Sequence, residues 1–465
     1  MPADLRPRRL LLATLTVVLP LLLAGCVDNP NSVFHSRTEF NRDVGSLFSL
    51  LIWLGTIVFV FTEALLLWTL WRYRHRKGTP HTPEQVHGNT KLEIMWTVIP
   101  AVVLAIIAVP TVQTIYRTQG DAGPEALQIE AIGHQWWWEF RYPQYNVTTA
   151  NEVYMPIGRK VNFALKTVDV IHSFWIPGLA GKRDNVNNRT NYLWFTPDST
   201  TEAAFNGFCA EYCGISHANM RFRAFTVTPE QFDAWIAHQQ TPAAMGAVAA
   251  AAPAGTQTPA AAPGRTVAQP GQQSNVQQDV GRGLPAGVGG PQVPLSAVTR
   301  ESRTGSQASG APGSTGSTGT AVATQAGYTG FPRERLEPHI VPQTPIPASV
   351  TFDESLRGDP AKGLQLVSRG SCIACHTIAG VPGMVSKVGP DLTHVASRLT
   401  IGAGLYPNDT RHLAAWVKNA RAMKPGSYMQ TLGRGQYDPI LKTTLTIGLS
   451  DQDVADIVAY LQLLK

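Results

Sequence analysis

The spacing of apolar positions divides the chain into stretches of different character. Behind Arg6, Arg8 and Arg9 comes an apolar run that ends at Leu23-Ala24-Gly25-Cys26. Two longer runs, Val44 to Trp71 and Met95 to Tyr116, each exceed the roughly 20 residues that carry a helix across a bilayer core. From Leu127 to Gln239 the pattern shortens to alternation: LQIEAIG and KVNFALKTVDV place an apolar side chain at every second position, the signature of half-buried strands. A helical period returns there only near PEQFDAWIAHQ. The pattern predicts an antiparallel β-sandwich of about 110 residues.

Periodicity then lapses. From about Thr241 to Thr329 the chain is Ala, Gly, Pro, Ser, Thr and Gln with few large apolar anchors, which predicts a disordered linker, and FPRERLEPHIVPQTPIP continues it in Pro-rich, extended form. Helical punctuation marks the last stretch. Asp359-Pro360 opens one helix, and Ser450 with Asp453 caps another whose Val454, Ile457, Val458, Leu461 and Leu464 form one apolar face. The expected organisation is residues 1–25 as a signal peptide, 40–117 as a transmembrane hairpin, 125–240 as a sandwich, 241–350 as a linker and 352–465 as an all-α domain.

Composition agrees with membrane attachment: 15% of the 465 residues are charged, against roughly 25% in a typical soluble protein. The net charge of +6 is spread out, with no Lys/Arg run interleaved with aromatics, which argues against nucleic-acid binding. Between the two spans lie Arg72, Arg74, Arg76, Lys77 and Lys91. A short basic loop belongs on the cytoplasmic side, which puts both ends of the hairpin outside. Glu63 lies within the first span, where a charge is costly unless it faces protein, and Glu93 lies at the cytoplasmic mouth of the second.

Five cysteines, an odd number, fall in three neighbourhoods. Cys26 follows a basic and then apolar leader, and Leu-Ala-Gly-Cys resembles the bacterial lipobox, in which that thiol is lipidated. Cys209 and Cys213 belong to CAEYCGISHANM, with His217 and Met220 downstream and His172 upstream in DVIHSFWIP. His172, Cys213, His217 and Met220 alone would be a blue-copper set. A second thiolate at Cys209 allows two sulfurs to bridge two copper ions, with one His for each. Zinc has no use for the thioether, a Cys209–Cys213 disulfide leaves His217 and Met220 unexplained, and a nucleophilic cysteine needs neither the second thiol nor the Met. Cys372-Ile373-Ala374-Cys375-His376 is the covalent haem c signature, two thioether-forming thiols and a ligating His. The sixth iron ligand should be a downstream Met, with Met384, Met423 and Met429 as candidates.

The hairpin, the sandwich and CAEYCGISHANM together resemble subunit II of the cytochrome c oxidases over about residues 40 to 240. Residues 352–465 resemble a fused class I cytochrome c. The resemblance implies a cupredoxin-like sandwich holding a dinuclear copper A centre, with Cys209 and Cys213 bridging and His172, His217, Met220 and the Glu211 carbonyl completing it. It also implies a magnesium ion shared with the catalytic subunit through the Glu211 side chain. Trp136, first of the tryptophans in GHQWWWEFRYP, would accept electrons on the way to copper, and Glu93 in LEIMWTVIP would stand at the mouth of a proton pathway. KPGSYM resembles the class I segment carrying the axial ligand, which favours Met429.

The implied activity is transfer of electrons from cytochrome c or another respiratory donor, through haem c and the copper pair, to a haem–copper subunit I that reduces oxygen and pumps protons, with subunit III as a further partner. The implied location is the bacterial cytoplasmic membrane, with both redox domains on its outer face. A linker of about 90 residues, spanning roughly 50 Å as a flexible chain, would tether the haem donor at an effective concentration on the order of mM. Two features depart from the family pattern: Asn187-Asn188 replaces Pro-Gly in the segment after His172, and Phe208 replaces the Gln before Cys209. Other expectations stay open: the input subunit of a dicopper nitric oxide reductase, and a copper-binding lipoprotein without catalytic partner. A quinol oxidase subunit would not need the copper ligands.

Overall fold

The computed structural model describes residues 31–74, 87–198, 202–243 and 328–465. The leader with Cys26, the middle of the basic loop and most of the linker lie outside the described residues.

Helix α1 (Glu39–Arg72) and helix α2 (Thr90–Thr118) are the two apolar runs. With 34 and 29 residues they extend about 50 and 43 Å at 1.5 Å per residue, more than the roughly 30 Å of a hydrocarbon core. Both are long and apolar enough to cross a membrane. Thr38 and Asn89 cap their first turns by accepting from the backbone N–H groups of Asn41 and Leu92. The foot of α1 is fixed to the next domain: Asn41 Nδ2 donates to Pro177 O at 2.8 Å, and Phe40 is 6% exposed within that domain's apolar cluster. Most side chains along the spans, Glu63 among them, lie outside the two packed cores.

Ten strands follow: β1 (Leu127–His134), β2 (Trp137–Tyr142), β3 (Val147–Ala150), β4 (Glu152–Pro156), β5 (Val161–Thr167), β6 (His172–Trp175), β7 (Arg183–Asn185), β8 (Asn191–Phe195), β9 (Ala203–Cys209) and β10 (Arg221–Val227). They form two five-stranded sheets, ordered β3-β2-β1-β5-β8 and β4-β10-β9-β6-β7. The sandwich is mixed rather than antiparallel, because β1 pairs with β5 and β4 with β10 in parallel. Period-two alternation is the same for both senses of pairing, so the strand sequences carry no signal of this difference. The register sets apolar beside apolar, with Leu127, Ile129 and Ala131 opposite Val161, Phe163 and Leu165, all fully buried. Between the sheets Trp138, Phe140, Phe174 and Phe222 make an aromatic core. Each contributes about 1.5–3 kcal/mol through burial. Helix α3 (Pro229–Gln239), closed by a Thr228–Gln231 capping box, covers one end with Phe232 and Trp235.

Residues 328–350, which composition assigns to the linker, are packed instead. Tyr328, Phe331 and Leu336 sit on the sandwich cluster, while Ile346 and Val350 pack on the helical domain beyond. These few anchors suffice because each docks on a core that other residues have already built. The helical domain consists of α4 (Pro360–Arg369), α5 (Thr410–Met423) and α6 (Asp451–Leu461), joined by long turns and two short β-ladders. Asp359 caps α4 with Pro360 in its first turn, and Ser450 and Asp453 form the reciprocal cap of α6. Val454, Ile457, Val458, Leu461 and Leu464 are all buried, as their spacing predicts.

Candidate metal and haem sites

Strand pairing creates the first site. β6 lies antiparallel to β9, with Phe174 opposite Cys209, so His172 at the start of β6 comes beside the end of β9. From Cys209 the chain makes a loop that closes on itself, Cys209 N donating to Met220 O at 3.0 Å, with a 3-10 turn over His217–Asn219. The sulfurs of Cys209 and Cys213 stand 3.7 Å apart, far beyond the about 2.05 Å of a disulfide, and both thiols are free. His172 Nδ1 lies 3.8 Å from Cys209 Sγ, and His217 Nδ1 lies 3.6 Å from Cys213 Sγ. Met220 Sδ is 3.8 Å from Cys213 Sγ, and the Glu211 carbonyl is 3.3 Å from Cys209 Sγ. The Glu211 side chain points outward and is exposed.

The surroundings orient these donors. Asp169 Oδ1 accepts from His172 Nε2 at 2.8 Å, which turns Nδ1 toward the sulfurs. Burial lowers the His172 pKa, but the hydrogen bond to Asp169 and then that to Cys209 reverse the sign, so the net shift is upward. Cys209 is driven down to about 3 by the hydrogen bond from Cys213, against burial and with help from His172; Cys213 is pushed up by Cys209 in turn. The titration of each thiol is therefore tied to that of the other. Asp169 stands only three residues before His172, yet nothing in TVDVIH separates it from a turn-forming Asp.

Trp136 is 9% exposed, and both its Nε1 and Gln135 Nε2 donate to the Cys213 carbonyl, at 2.9 and 2.8 Å. Its ring stacks on Tyr428 at 5.8 Å and 16°. Glu93 lies in the first turn of α2, where its carboxylate accepts from Asn89 N at 3.2 Å, a helix-capping contact.

The second site begins on a 3-10 turn, Ser371–Ala374, directly after α4. Cys372 and Cys375 are half-buried and free. His376 Nδ1 donates to Pro390 O at 2.8 Å, which leaves Nε2 as the ligand atom, and burial lowers the ring's pKa and keeps it neutral. Both rings lie against a glycine: a Cβ on Gly133 would come within 2.5 Å of the His172 ring, and one on Gly389 within 2.7 Å of the His376 ring. Met384 and Met423 are 1% and 4% exposed in the helical core, whereas Met429 is half-buried in the loop after α5.

Three family profiles match the chain: "Cytochrome C oxidase subunit II, transmembrane domain" over residues 35–114, "Cytochrome C oxidase subunit II, periplasmic domain" over 146–226, and "Cytochrome c" over 360–465. Cytochrome c oxidase subunit 2 of Alkalihalophilus pseudofirmus is 39% identical over 224 residues, 47% of this chain and 65% of that protein. The Bacillus subtilis protein of the same name is 36% identical over 243 residues, 48% of this chain and 67% of its own length. The chain belongs to the cytochrome c oxidase subunit II family. Its similarity extends to quinol oxidase subunit 2 of Bacillus subtilis, 32% identical over 50% of this chain and 73% of that protein.

For a subunit II family member the family implies a copper A centre, and the cytochrome c domain implies haem. The donor set fits copper: two thiolates, two imidazoles and a thioether are soft ligands, and among the described residues His172, Cys209 and Cys213 bring ligand atoms within 4.8 Å of one another. The haem signature fits equally, with two free thiols and an imidazole whose second nitrogen is already engaged.

Proposed function

We propose that the chain is the electron-transfer subunit of a respiratory cytochrome c oxidase in the bacterial cytoplasmic membrane, with its two redox domains on the outer face. The observation that carries this reading is the pair of sulfurs 3.7 Å apart with one imidazole beside each. A single-copper carrier has no use for the second thiolate. In this reading Cys209 and Cys213, with His172, His217, Met220 and the Glu211 carbonyl, would hold the copper pair. Cys372 and Cys375 hold haem c covalently, and His376 and Met429 ligate its iron. When bound, these groups would supply one-electron redox chemistry. The rest is done by the polypeptide: Asp169 orients the imidazole of His172, and the Pro390 carbonyl orients that of His376.

Trp136, hydrogen-bonded to the Cys213 carbonyl, is the electron-input residue of the copper domain. Glu93 stands at a proton-pathway mouth, the exposed Glu211 side chain meets a magnesium ion shared with subunit I, and Cys26 carries a lipid. The partners are a haem–copper subunit I, a subunit III and a cytochrome c or other respiratory donor. Purification of the complex through this chain, with copper and haem analysis and oxygen uptake on reduced cytochrome c, tests the reading. Two copper ions and one haem c per chain with oxygen uptake are expected. A chain without copper, or a complex that consumes nitric oxide and not oxygen, overturns it.

A further inference from the structure

We propose that three buried charged side chains, Glu152, Arg223 and Lys424, lock the helical cytochrome domain onto the sandwich in a single orientation that closes Trp136 to soluble electron donors. An external donor then meets the cytochrome domain and not the copper domain.

The three side chains are 2%, 3% and 4% exposed, and each finds partners across the seam. Glu152 Oε1, on β4, accepts from Leu399 N at 2.8 Å, Thr400 N at 3.0 Å and Thr400 Oγ1 at 3.2 Å. Arg223, on β10, donates from Nη2 to Gly404 O at 3.1 Å and from Nε to Ile340 O at 2.9 Å. In the opposite direction, Lys424 Nζ reaches back to Trp136 O at 2.5 Å. Tyr428 adds its ring face to Trp136 and its hydroxyl to Gln135 Oε1 at 3.0 Å, and Ser216 Oγ donates to Pro425 O.

Apolar groups supply the attraction and the charges supply the direction. Leu399 of the cytochrome domain and Phe331 of the connecting strap both belong to the sandwich's own core cluster. A rotated docking could keep that apolar contact, yet it would bury Glu152, Arg223 or Lys424 without a partner, which costs several kcal/mol per charge. Transient electron-transfer encounters are small and lack such fixed contacts. Apart from the Thr400 hydroxyl, the partners of these three side chains are backbone atoms, so the match depends chiefly on placement of the whole domain.

The identity of Trp136 as input residue rests on the function proposed above; the lock itself does not. Hydroxyl-radical footprinting and hydrogen–deuterium exchange of the full chain, loaded with copper and haem, test it without any electron moving. Trp136 should label as slowly as fully buried Trp138 and more slowly than Trp137, and the Leu399 and Thr400 amides should be protected. Glu152→Ala with Arg223→Met should speed both readouts roughly tenfold or more while Trp138 stays protected, and Glu152→Gln, which keeps an acceptor, should recover part of the protection. If the double variant also exposes Trp138 it has unfolded, and Lys424→Met, which removes one contact, carries the comparison. Fast labelling of Trp136 in the unmodified chain, or variants that leave both readouts unchanged, overturns the lock. Absence of copper or haem overturns the proposed function and leaves the lock to be judged on protection alone.

Discussion

In the sandwich, five donor atoms from His172, Cys209, Cys213, His217 and Met220 stand within 3.8 Å of a neighbouring donor, on a loop whose ends are tied by a backbone hydrogen bond. In the cytochrome domain, Cys372 lies on the short 3-10 turn Ser371–Ala374, Cys375 and His376 follow it directly, and the ring of His376 is oriented by a backbone carbonyl. The two domains differ likewise in their cores. Among the largest fully buried side chains of the described residues, the sandwich encloses nine aromatic rings, Trp138, Phe140, Phe163, Phe174 and Phe222 among them, whereas the cytochrome domain encloses two, Tyr406 and Tyr460. A metal pair adds coordination bonds to a scaffold that is already folded; a covalently attached macrocycle adds apolar contact area to a small one that has less of its own. The first group should therefore be dispensable for folding and the second should not.

The largest effect expected from this contrast is that of Cys372→Ser with Cys375→Ser. Covalent haem is lost, and the cytochrome domain becomes sensitive to limited proteolysis while the sandwich stays resistant; equal resistance in both domains would break the contrast. Next is Cys209→Ser, which should abolish the copper pair, seen by metal analysis, and leave the sandwich's melting temperature within a few degrees of the original, since a small Cys→Ser change falls in the ordinary range of about 1 kcal/mol.

A pH effect of intermediate size belongs to the seam. Burial raises Glu152 from 4.5 to about 7, although Arg398 and the donors of Thr400 and Leu399 pull the other way. A carboxyl raised in the folded state contributes stability that is complete below about pH 4.5 and is lost as pH climbs to about 7. The difference is on the order of 3 kcal/mol. Denaturant melts across that interval should slope downward for the native chain and run flat at this site in Glu152→Gln; parallel curves would remove Glu152 as the source. The smallest effect is that of Tyr428→Phe, which deletes a hydroxyl bond to Gln135 from a half-exposed ring and should cost about 1 kcal/mol or less in denaturant midpoint.

Much of this molecule is legible in its residues where the signal is local. The caps at Asp359 and Ser450, the apolar face of α6 and the donor set of CAEYCGISHANM each depend on side chains a few positions apart, and the structure joins His172 to the last of these through one strand pair. What the sequence concealed depends on partners far along the chain. The parallel pairing of β1 with β5 has no compositional mark. Residues 328–350 look like linker because Phe331, Leu336 and Ile340 are sparse, and only the surfaces waiting for them make so few anchors sufficient. Nothing local to Glu152 or Lys424 marks them for burial, which comes from contacts spanning 247 and 288 positions. The tethered encounter expected from linker length gives way to direct contact at Trp136 and Tyr428.

The points where the chain leaves and rejoins the described fold give the long segment between them a different meaning. Ala243 donates its N–H to Ala379 O inside the cytochrome domain before the segment begins, and Phe331 settles into the sandwich soon after it ends. The two domains are thus held by contacts among the described residues, and not by the number of residues that separates position 243 from position 328. Each doubling or halving of such a loop changes its closure entropy by only about 0.6 kcal/mol, so its length can drift with little cost to the assembly that it connects.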